Sequence, residues 1–396
     1  MVVEIAPRVY WVGVVDWDIR RFHGHELSTH RGTSYNAYLI LDEKIALVDT
    51  VAAPFAGRLL ESIRELVDPA RIDYVIANHA ELDHAGALPE VMREAPQASL
   101  IVSRRGAESI PGHHHRPWPI RAVRTGERLS LGQDELLFVE APMLHWPDSM
   151  FTYLAGRRLL MPNDAFGQHY AAGRLFNDEV DGQELLQEAR KYYANILTPF
   201  SAQVLKKIDE LLALELPVSM IAPSHGVLWR EDPLQIVRQY QAWARQEPQK
   251  RAVIVQDTMW GATTRLAEAI GDGLTAEGVP YKIFHAAVTD RNDVLAEVLG
   301  AGALVVGSPT INQGMLGTIT VLLEDLAHLK FHVPIGGAFG SYGWGGESVK
   351  AIAERLAACG LRLPADPLRV QWQPRAEDLA AAASLGRAVG AAVREL

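Results

Sequence analysis

A nine-residue stretch, Asn78-His79-Ala80-Glu81-Leu82-Asp83-His84-Ala85-Gly86, constrains this chain more than any other. Two imidazoles and two carboxylates fall within six positions, directly after an apolar run, Tyr74-Val75-Ile76-Ala77, that reads as a buried strand. Strand ends that open into loops are where layered α/β folds place their chemistry. Four metal-ligand side chains packed this closely repel one another or stay unpaired unless a cation sits among them. Nitrogen and oxygen donors without thiolate suit zinc, iron or manganese and exclude a cysteine-type structural zinc site.

Further donors stand alone downstream, each just after a strand-like run. His145 follows Glu135–Glu140, Asp164 follows a hairpin over 150–161, and His225 follows Ser219–Ala222. Seven donors are too many for one ion and suit two, with a single carboxylate shared between them, for which Asp164 is the candidate. Three carboxylates among seven ligands make a harder donor set than an all-imidazole site and favour iron over zinc. His113, His114 and His115 lie between prolines and read as an exposed loop without a role. His169 could be structural or could stand beside the metals.

The first part of the chain reads as strands and helices in two similar halves. Its elements are a strand at 9–15, a strand pair at 36–41 and 45–49, and a helix at 55–67. A helix at 88–93, a strand at 99–103, and helices at 183–196 and 202–214 follow. After the helix Leu234–Arg245 comes a polar, proline-bearing stretch, Gln246-Glu247-Pro248-Gln249-Lys250. A boundary is expected there, giving domains 1–248 and 249–396. Beyond it strands at 252–256, 281–286, 303–307, 335–339 and 368–372 alternate strictly with helices, the pattern of a doubly wound parallel sheet.

Three loops after these strands are rich in small and hydroxyl residues. They are Thr258-Met259-Trp260-Gly261-Ala262-Thr263, then Ser308-Pro309-Thr310-Ile311-Asn312-Gln313-Gly314, then Ser341-Tyr342-Gly343-Trp344-Gly345. Hydroxyls and backbone N–H groups opening a helix cradle a phosphate monoester. No Gly-x-Gly-x-x-Gly and no Lys-Ser/Thr ending are present, so neither a dinucleotide fingerprint nor a Walker loop is read. Trp260, Tyr342 and Trp344 offer flat faces for an aromatic ring system.

With these motifs in place, the chain resembles the flavodiiron (A-type flavoprotein) family over essentially its whole length. His79-Ala80-Glu81-Leu82-Asp83-His84 has that family's His-x-Glu-x-Asp-His form, with Glu81 where the zinc hydrolases of the metallo-β-lactamase fold carry histidine. The segments Arg31–Ile40, Asp164–Gly167, Tyr193–Ile196 and Pro223–Gly226 match as well. The resemblance implies an N-terminal metallo-β-lactamase-like αββα domain and a C-terminal flavodoxin-like domain binding FMN through the three loops. It implies a non-haem di-iron site, one iron held by His79, Glu81 and His145, the other by Asp83, His84 and His225, with Asp164 bridging. It suggests that His23 stands beside the irons and can give a proton, with a structural histidine as the alternative, and that Tyr192 or Tyr193, the latter in the matching segment, supplies a hydroxyl there. It also implies reduction of O2 to water, of NO to N2O, or of both, in a head-to-tail homodimer or a dimer of such dimers. The electron donor is expected to be separate: a rubredoxin, a flavin reductase or reduced deazaflavin (coenzyme F420).

Two other readings of these residues are a zinc hydrolase with an accessory flavodoxin module and an electron carrier on a degenerate scaffold. Net charge −10 argues against nucleic acid as a partner. No apolar run approaches the ~20 residues of a membrane span, no secretion signal is visible, and a single cysteine, Cys359, fits a reducing cytoplasm. Cys359 is expected to be a small buried apolar group.

Overall fold

The computed structural model describes residues 2–396. Internal packing divides them into two compact units, 2–192 with Phe200–Ala244, and Tyr193–Pro199 with Arg245–Leu396.

The first unit is built on two sheets. One has seven strands in spatial order Val3–Ala6, Val9–Trp11, Tyr38–Leu41, Ile45–Val48, Ile72–Ala77, Ser99–Ser103 and Ile120–Val123. The other has five: Arg128–Ser130, Glu135–Glu140, Met150–Leu154, Leu159–Met161 and Met220–Ile221. Side chains from both sheets meet in one core, with Trp11, Tyr38, Ile76 and Ile101 from the first and Phe138, Met150, Leu154 and Met161 from the second. Helices cover the outer faces: Ala56–Arg64 buries Leu59, Leu60 and Ile63, and Leu88–Glu94 buries Leu88 and Val91. This is the αββα layering, in which apolar strand faces pair inward and ligand-bearing loops gather along one edge.

The run expected as one strand over 9–15 is broken. A Cβ at Gly13 would lie 2.3 Å from the Tyr35 carbonyl oxygen, and a new strand, Val14–Asp16, pairs with Thr33–Tyr35. The expected helix 183–196 ends as an α-helix at Tyr192 and continues as a π-helical turn, Tyr193–Leu197. The histidine triplet lies not in a loop but in the last turn of the helix Gly106–His114, with His115 left-handed at its end. Pro111 sits inside that helix, where a proline ordinarily marks a loop.

The second unit is a five-stranded, wholly parallel sheet in the order Tyr281–His285, Gln249–Gln256, Ala301–Gly307, Ile335–Tyr342, Leu368–Gln371. In sequence terms this is 2-1-3-4-5, a doubly wound order whose switch point opens a crevice at the strands' carboxyl ends. Cys359 caps the helix Glu347–Ala358 and is half-buried rather than enclosed.

One face of the sheet is covered by the helices Ala262–Ala276 and Ala376–Arg394, which cross at glycines. A Cβ at Gly273 would stand 2.1 Å from the Ala383 carbonyl oxygen, and one at Gly386 2.1 Å from that of Ile270. Replacing a helix-interior glycine by alanine gains about 1 kcal/mol in propensity. A carbon that far inside contact distance of a carbonyl forces the helices apart and costs more, about 1–3 kcal/mol for overpacking alone. Gly386→Leu is therefore expected to lower the thermal midpoint of the second unit while leaving metal content unchanged; an unaltered midpoint would refute the crossing.

Candidate functional site

The donors converge at the edge of the two sheets of the first unit. Ile72–Ala77 delivers His79 through Asn78. Glu81 caps the four-residue helix Leu82–Ala85 without using its carboxylate for the cap, and that helix carries Asp83 and His84. Asp164 follows Leu159–Met161, and His225 follows Met220–Ile221. His79, His84, His145, Asp164 and His225 are buried, while Glu81 and Asp83 are half-buried.

The seven residues fall into two groups, His79, Glu81, His145 and Asp164, and Asp83, His84 and His225; within each, the donor atoms all lie within 4.8 Å of one another. Glu81 Oε2 lies 3.4 Å from His79 Nε2 and 3.3 Å from His145 Nε2. Asp83 Oδ2 lies 3.1 Å from His84 Nε2 and 3.0 Å from His225 Nε2. Asp164 divides its oxygens. Oδ2 is 3.7 Å from His79 Nε2 and 3.3 Å from His145 Nε2, whereas Oδ1 is 2.9 Å from His84 Nε2 and 3.5 Å from His225 Nε2. Donors each about 2.1 Å from one ion stand roughly 3.0–3.4 Å apart, which is close to this spacing.

The donor chemistry also asks for cations. His79 Nε2, Asp83 Oδ1, His84 Nε2 and Asp164 Oδ2 are buried without a hydrogen-bond partner. Burial works against charge on the imidazoles, yet the surrounding carboxylates prevail: His79 is raised to about 10 and His145 to about 9. Burial likewise opposes the charge on Glu81, and the imidazoles of His145, His23 and His79 still hold it well below the usual carboxylate range. The residues present thus fit a binuclear metal site.

The lone pairs are aimed by partners the sequence did not reveal. Asp148 Oδ2 stands 3.2 Å from His79 Nδ1 and accepts the Ala80 N–H at 2.7 Å, leaving Nε2 to face the centre. His225 Nδ1 lies 2.7 Å from the Ser34 carbonyl oxygen, to which it donates. Trp146 sets its ring edge-on to His79 at 5.0 Å. Asp49, wholly buried, accepts from Asn78 N at 2.8 Å and Asn78 Nδ2 at 3.0 Å, from Asn163 Nδ2 at 3.2 Å and from Ser224 Oγ at 3.4 Å. Each donor immediately precedes a ligand: His79, Asp164 or His225. Thr50 N donates to the His84 carbonyl at 2.9 Å.

His23 Nε2 is 2.7 Å from Glu81 Oε1, and this hydrogen bond raises its pKa against the effect of burial. Of the two neighbouring tyrosines, Tyr192 sets its ring among the histidines of the centre. Its ring lies 5.0 Å from His169 and 6.3 Å from His225. Tyr193 is also buried and opens the π-helical turn. His169 is buried, and burial followed by the charge of His225 holds its pKa well below the usual range.

In the second unit a cavity of about 920 Å³ opens at the switch point, ample for a flavin. Met259, Trp260, Ala262, Pro309, Thr310, Ile311, Asn312, Ser341, Tyr342, Gly343, Trp344 and Gly345 line it. The other predicted residues hold the loops rather than the lining. Thr258 Oγ1 accepts Gly261 N–H at 3.0 Å, Thr263 Oγ1 lies 3.3 Å from Ser341 Oγ, Ser308 Oγ accepts Leu316 N–H at 3.0 Å, and Gly314 pairs with Ile311. Trp372 and Gln373 also line the cavity and were missed; the exposed Trp372 just past the last strand was the available signal. Trp260 is 85% exposed and Trp344 100%, apolar faces that a bound ring system would cover.

Comparison with known proteins agrees with this geometry. A family model described as ODP family beta lactamase matches residues 33–226, and one described as flavodoxin matches residues 254–386. The chain is 49% identical over 395 residues, 99% of either chain, to a protein of Moorella thermoacetica named nitric oxide reductase. It is 45% identical over 393 residues to an anaerobic nitric oxide reductase flavorubredoxin of Escherichia coli O1:K1 / APEC, covering 98% of this chain and 82% of that one. Its structure superposes with a TM-score of 0.97 on rubredoxin oxygen:oxidoreductase from Desulfovibrio gigas, at 38% identity, covering 100% of this chain and 99% of the other. The flavodiiron protein of Giardia intestinalis gives a TM-score of 0.95 at 33% identity, covering 100% and 97%. A binuclear metal domain of the metallo-β-lactamase type is thus joined to a flavodoxin domain. The chain belongs to the flavodiiron protein family, and its cofactors are FMN and two iron ions.

Two outcomes follow for the centre. Asp148→Ala should weaken metal binding at the His79 group by about 10- to 100-fold, read by titrating metal into stripped protein; unchanged affinity would remove Asp148 from its role. In stripped protein the raised His79 contributes stability that is complete below its ordinary 6.5 and lost as pH rises towards about 10. The melting temperature of stripped protein should therefore fall across that window, and that of loaded protein should not, because metal needs these rings unprotonated.

Proposed function

We propose that this chain is an oxidoreductase that reduces O2 to water, NO to N2O, or both, with electrons relayed through FMN from a separate donor. The observation that carries this reading is the division of Asp164, one oxygen towards each of two histidine–carboxylate groups. We take residues 1–248 as the di-iron domain and 249–396 as the FMN domain. His79, Glu81 and His145 would hold one iron, Asp83, His84 and His225 the other, and Asp164 both. When bound, two irons and FMN supply the electrons and open coordination positions that the reaction needs.

The chain's own residues do the rest. Asp148 and the Ser34 carbonyl fix the tautomers of His79 and His225, so each presents Nε2 to metal. His23 occupies Glu81 Oε1 and leaves Oε2 for the metal side. Both reductions consume protons, two per N2O and four per O2. His23, partly open to solvent and bonded to Glu81, can hold a proton at Nε2 next to the centre. Tyr192 and Phe22 wall the His225 side with rings, which keeps bulk water from it.

A head-to-tail homodimer that sets the flavin of one copy against the irons of the other would bring the cofactors within electron-transfer reach. Rubredoxin, a flavin reductase or reduced deazaflavin would suit as donor, in a cytoplasmic setting. Among the described residues, no helix is long and apolar enough to cross a membrane.

The test is anaerobic mixing of fully reduced protein with O2 and, separately, with NO. Flavin reoxidation should be faster with at least one gas than in iron-stripped protein. Equal rates with and without iron would sink the proposal. Two zinc ions per chain with hydrolytic turnover would establish the hydrolase reading instead.

A further inference from the structure

The crevice of the second unit has a fourth wall. Trp372 and Gln373 line its cavity beside the three loops read from the sequence. They follow the edge strand Leu368–Gln371, whereas Trp260 follows the strand Gln249–Gln256, three places away in the same sheet. Three strand spacings amount to about 14 Å. Gln373 Nε2 nevertheless donates to the Trp260 carbonyl oxygen at 3.1 Å. That bond joins loops from opposite sides of the crevice at the strands' carboxyl ends.

The segment is also tied on its near side. Gln371 stands opposite Tyr342 in the sheet. Trp372 N–H donates to the Tyr342 carbonyl at 2.8 Å, and Gln371 Nε2 donates to the Gly343 carbonyl at 2.9 Å. Between these ties Trp372 is held at a φ of +61°, a left-handed backbone that a bulky residue rarely adopts. A core residue offsets such strain by burying its side chain, but Trp372 is 64% exposed. An apolar face held open in a ligand-sized cavity, with Trp260 and Trp344 in the same lining, is what a bound ring covers.

We infer that Gln371–Gln373 is a fourth flavin-binding segment. Trp372 covers the ring system of bound FMN, and the Gln373 bond straps the first loop to the last strand before the ligand arrives. Loops set in advance lower the ordering cost of binding. The phosphate is served by the hydroxyl-rich loops, so the contribution of Trp372 is the same for FMN and for riboflavin, which lacks a phosphate. The inference rests on FMN as the cofactor.

The full chain freed of flavin is titrated with FMN and with riboflavin, followed by quenching of flavin fluorescence. Trp372→Gly removes the indole and suits the left-handed backbone. It should weaken both ligands by one common factor, about five- to tenfold, the worth of one aromatic contact. Trp372→Phe should recover most of that loss. The thermal midpoint of flavin-free Trp372→Gly should hold or rise, whereas a tryptophan that serves packing predicts a fall. Gln373→Leu should weaken both ligands about threefold, the worth of one exposed hydrogen bond. Unchanged affinity in Trp372→Gly, a loss confined to FMN, or a lowered midpoint would overturn the role of Trp372. Unchanged affinity in Gln373→Leu would overturn the strap. Failure of the unaltered protein to bind FMN would instead overturn the cofactor assignment, and this inference with it.

Discussion

The carboxylate of Asp49 is the interaction on which the centre depends. It is itself no donor to the metal groups, yet it binds the residue before His79, the residue before Asp164 and the residue before His225. A buried carboxylate is costly to desolvate and is tolerated only when several donors surround it. Here those donors come from three separate strand ends, so the cost of burying Asp49 is offset only when all three loops are in place. The arrangement couples assembly of the ligand set to closure of the two sheets, because Asn78 also accepts from Thr152 at 2.7 Å on the facing sheet. Asp49 sits at a backbone φ of +59° at the end of its strand, a strained position retained by this network.

Much of this was legible in the sequence because ligands at strand ends announce themselves. His79, Glu81, Asp83 and His84 stand together, and His145, Asp164 and His225 each follow an apolar run. The five-strand alternation beyond Pro248 likewise predicts the observed parallel sheet. What the sequence hid is whatever depends on facing rather than on order. Asp148 and Asp49 are ordinary acidic residues until their neighbours in space are known. Short edge strands such as Arg21–Phe22 and Leu27–Ser28 carry too few residues for a period to show.

The two sites are built by different means. In the first unit the side chains themselves are the site, and rigidity comes from charge held in a dry place. In the second, the loops are tied by hydroxyls: Thr263 to Ser341, Thr310 to Ser348, and Ser348 in turn to the Ser308 carbonyl. Each loop holds the next, while the aromatic faces stay open. A ring system is thereby met by a pre-set frame with exposed walls, which keeps the ordering cost of binding small.

The divided carboxylate of Asp164 has a thermodynamic corollary. Two ions held as proposed would share this one anionic residue, so filling the first would hold the Asp164 side chain where the second needs it. Filling the first also neutralises charge that would otherwise protonate the neighbouring imidazoles. Against these gains stands the repulsion between two cations, which the three carboxylates screen. Occupancy of the pair would thus be a linked equilibrium rather than two independent ones, which lowers the population of the half-filled centre.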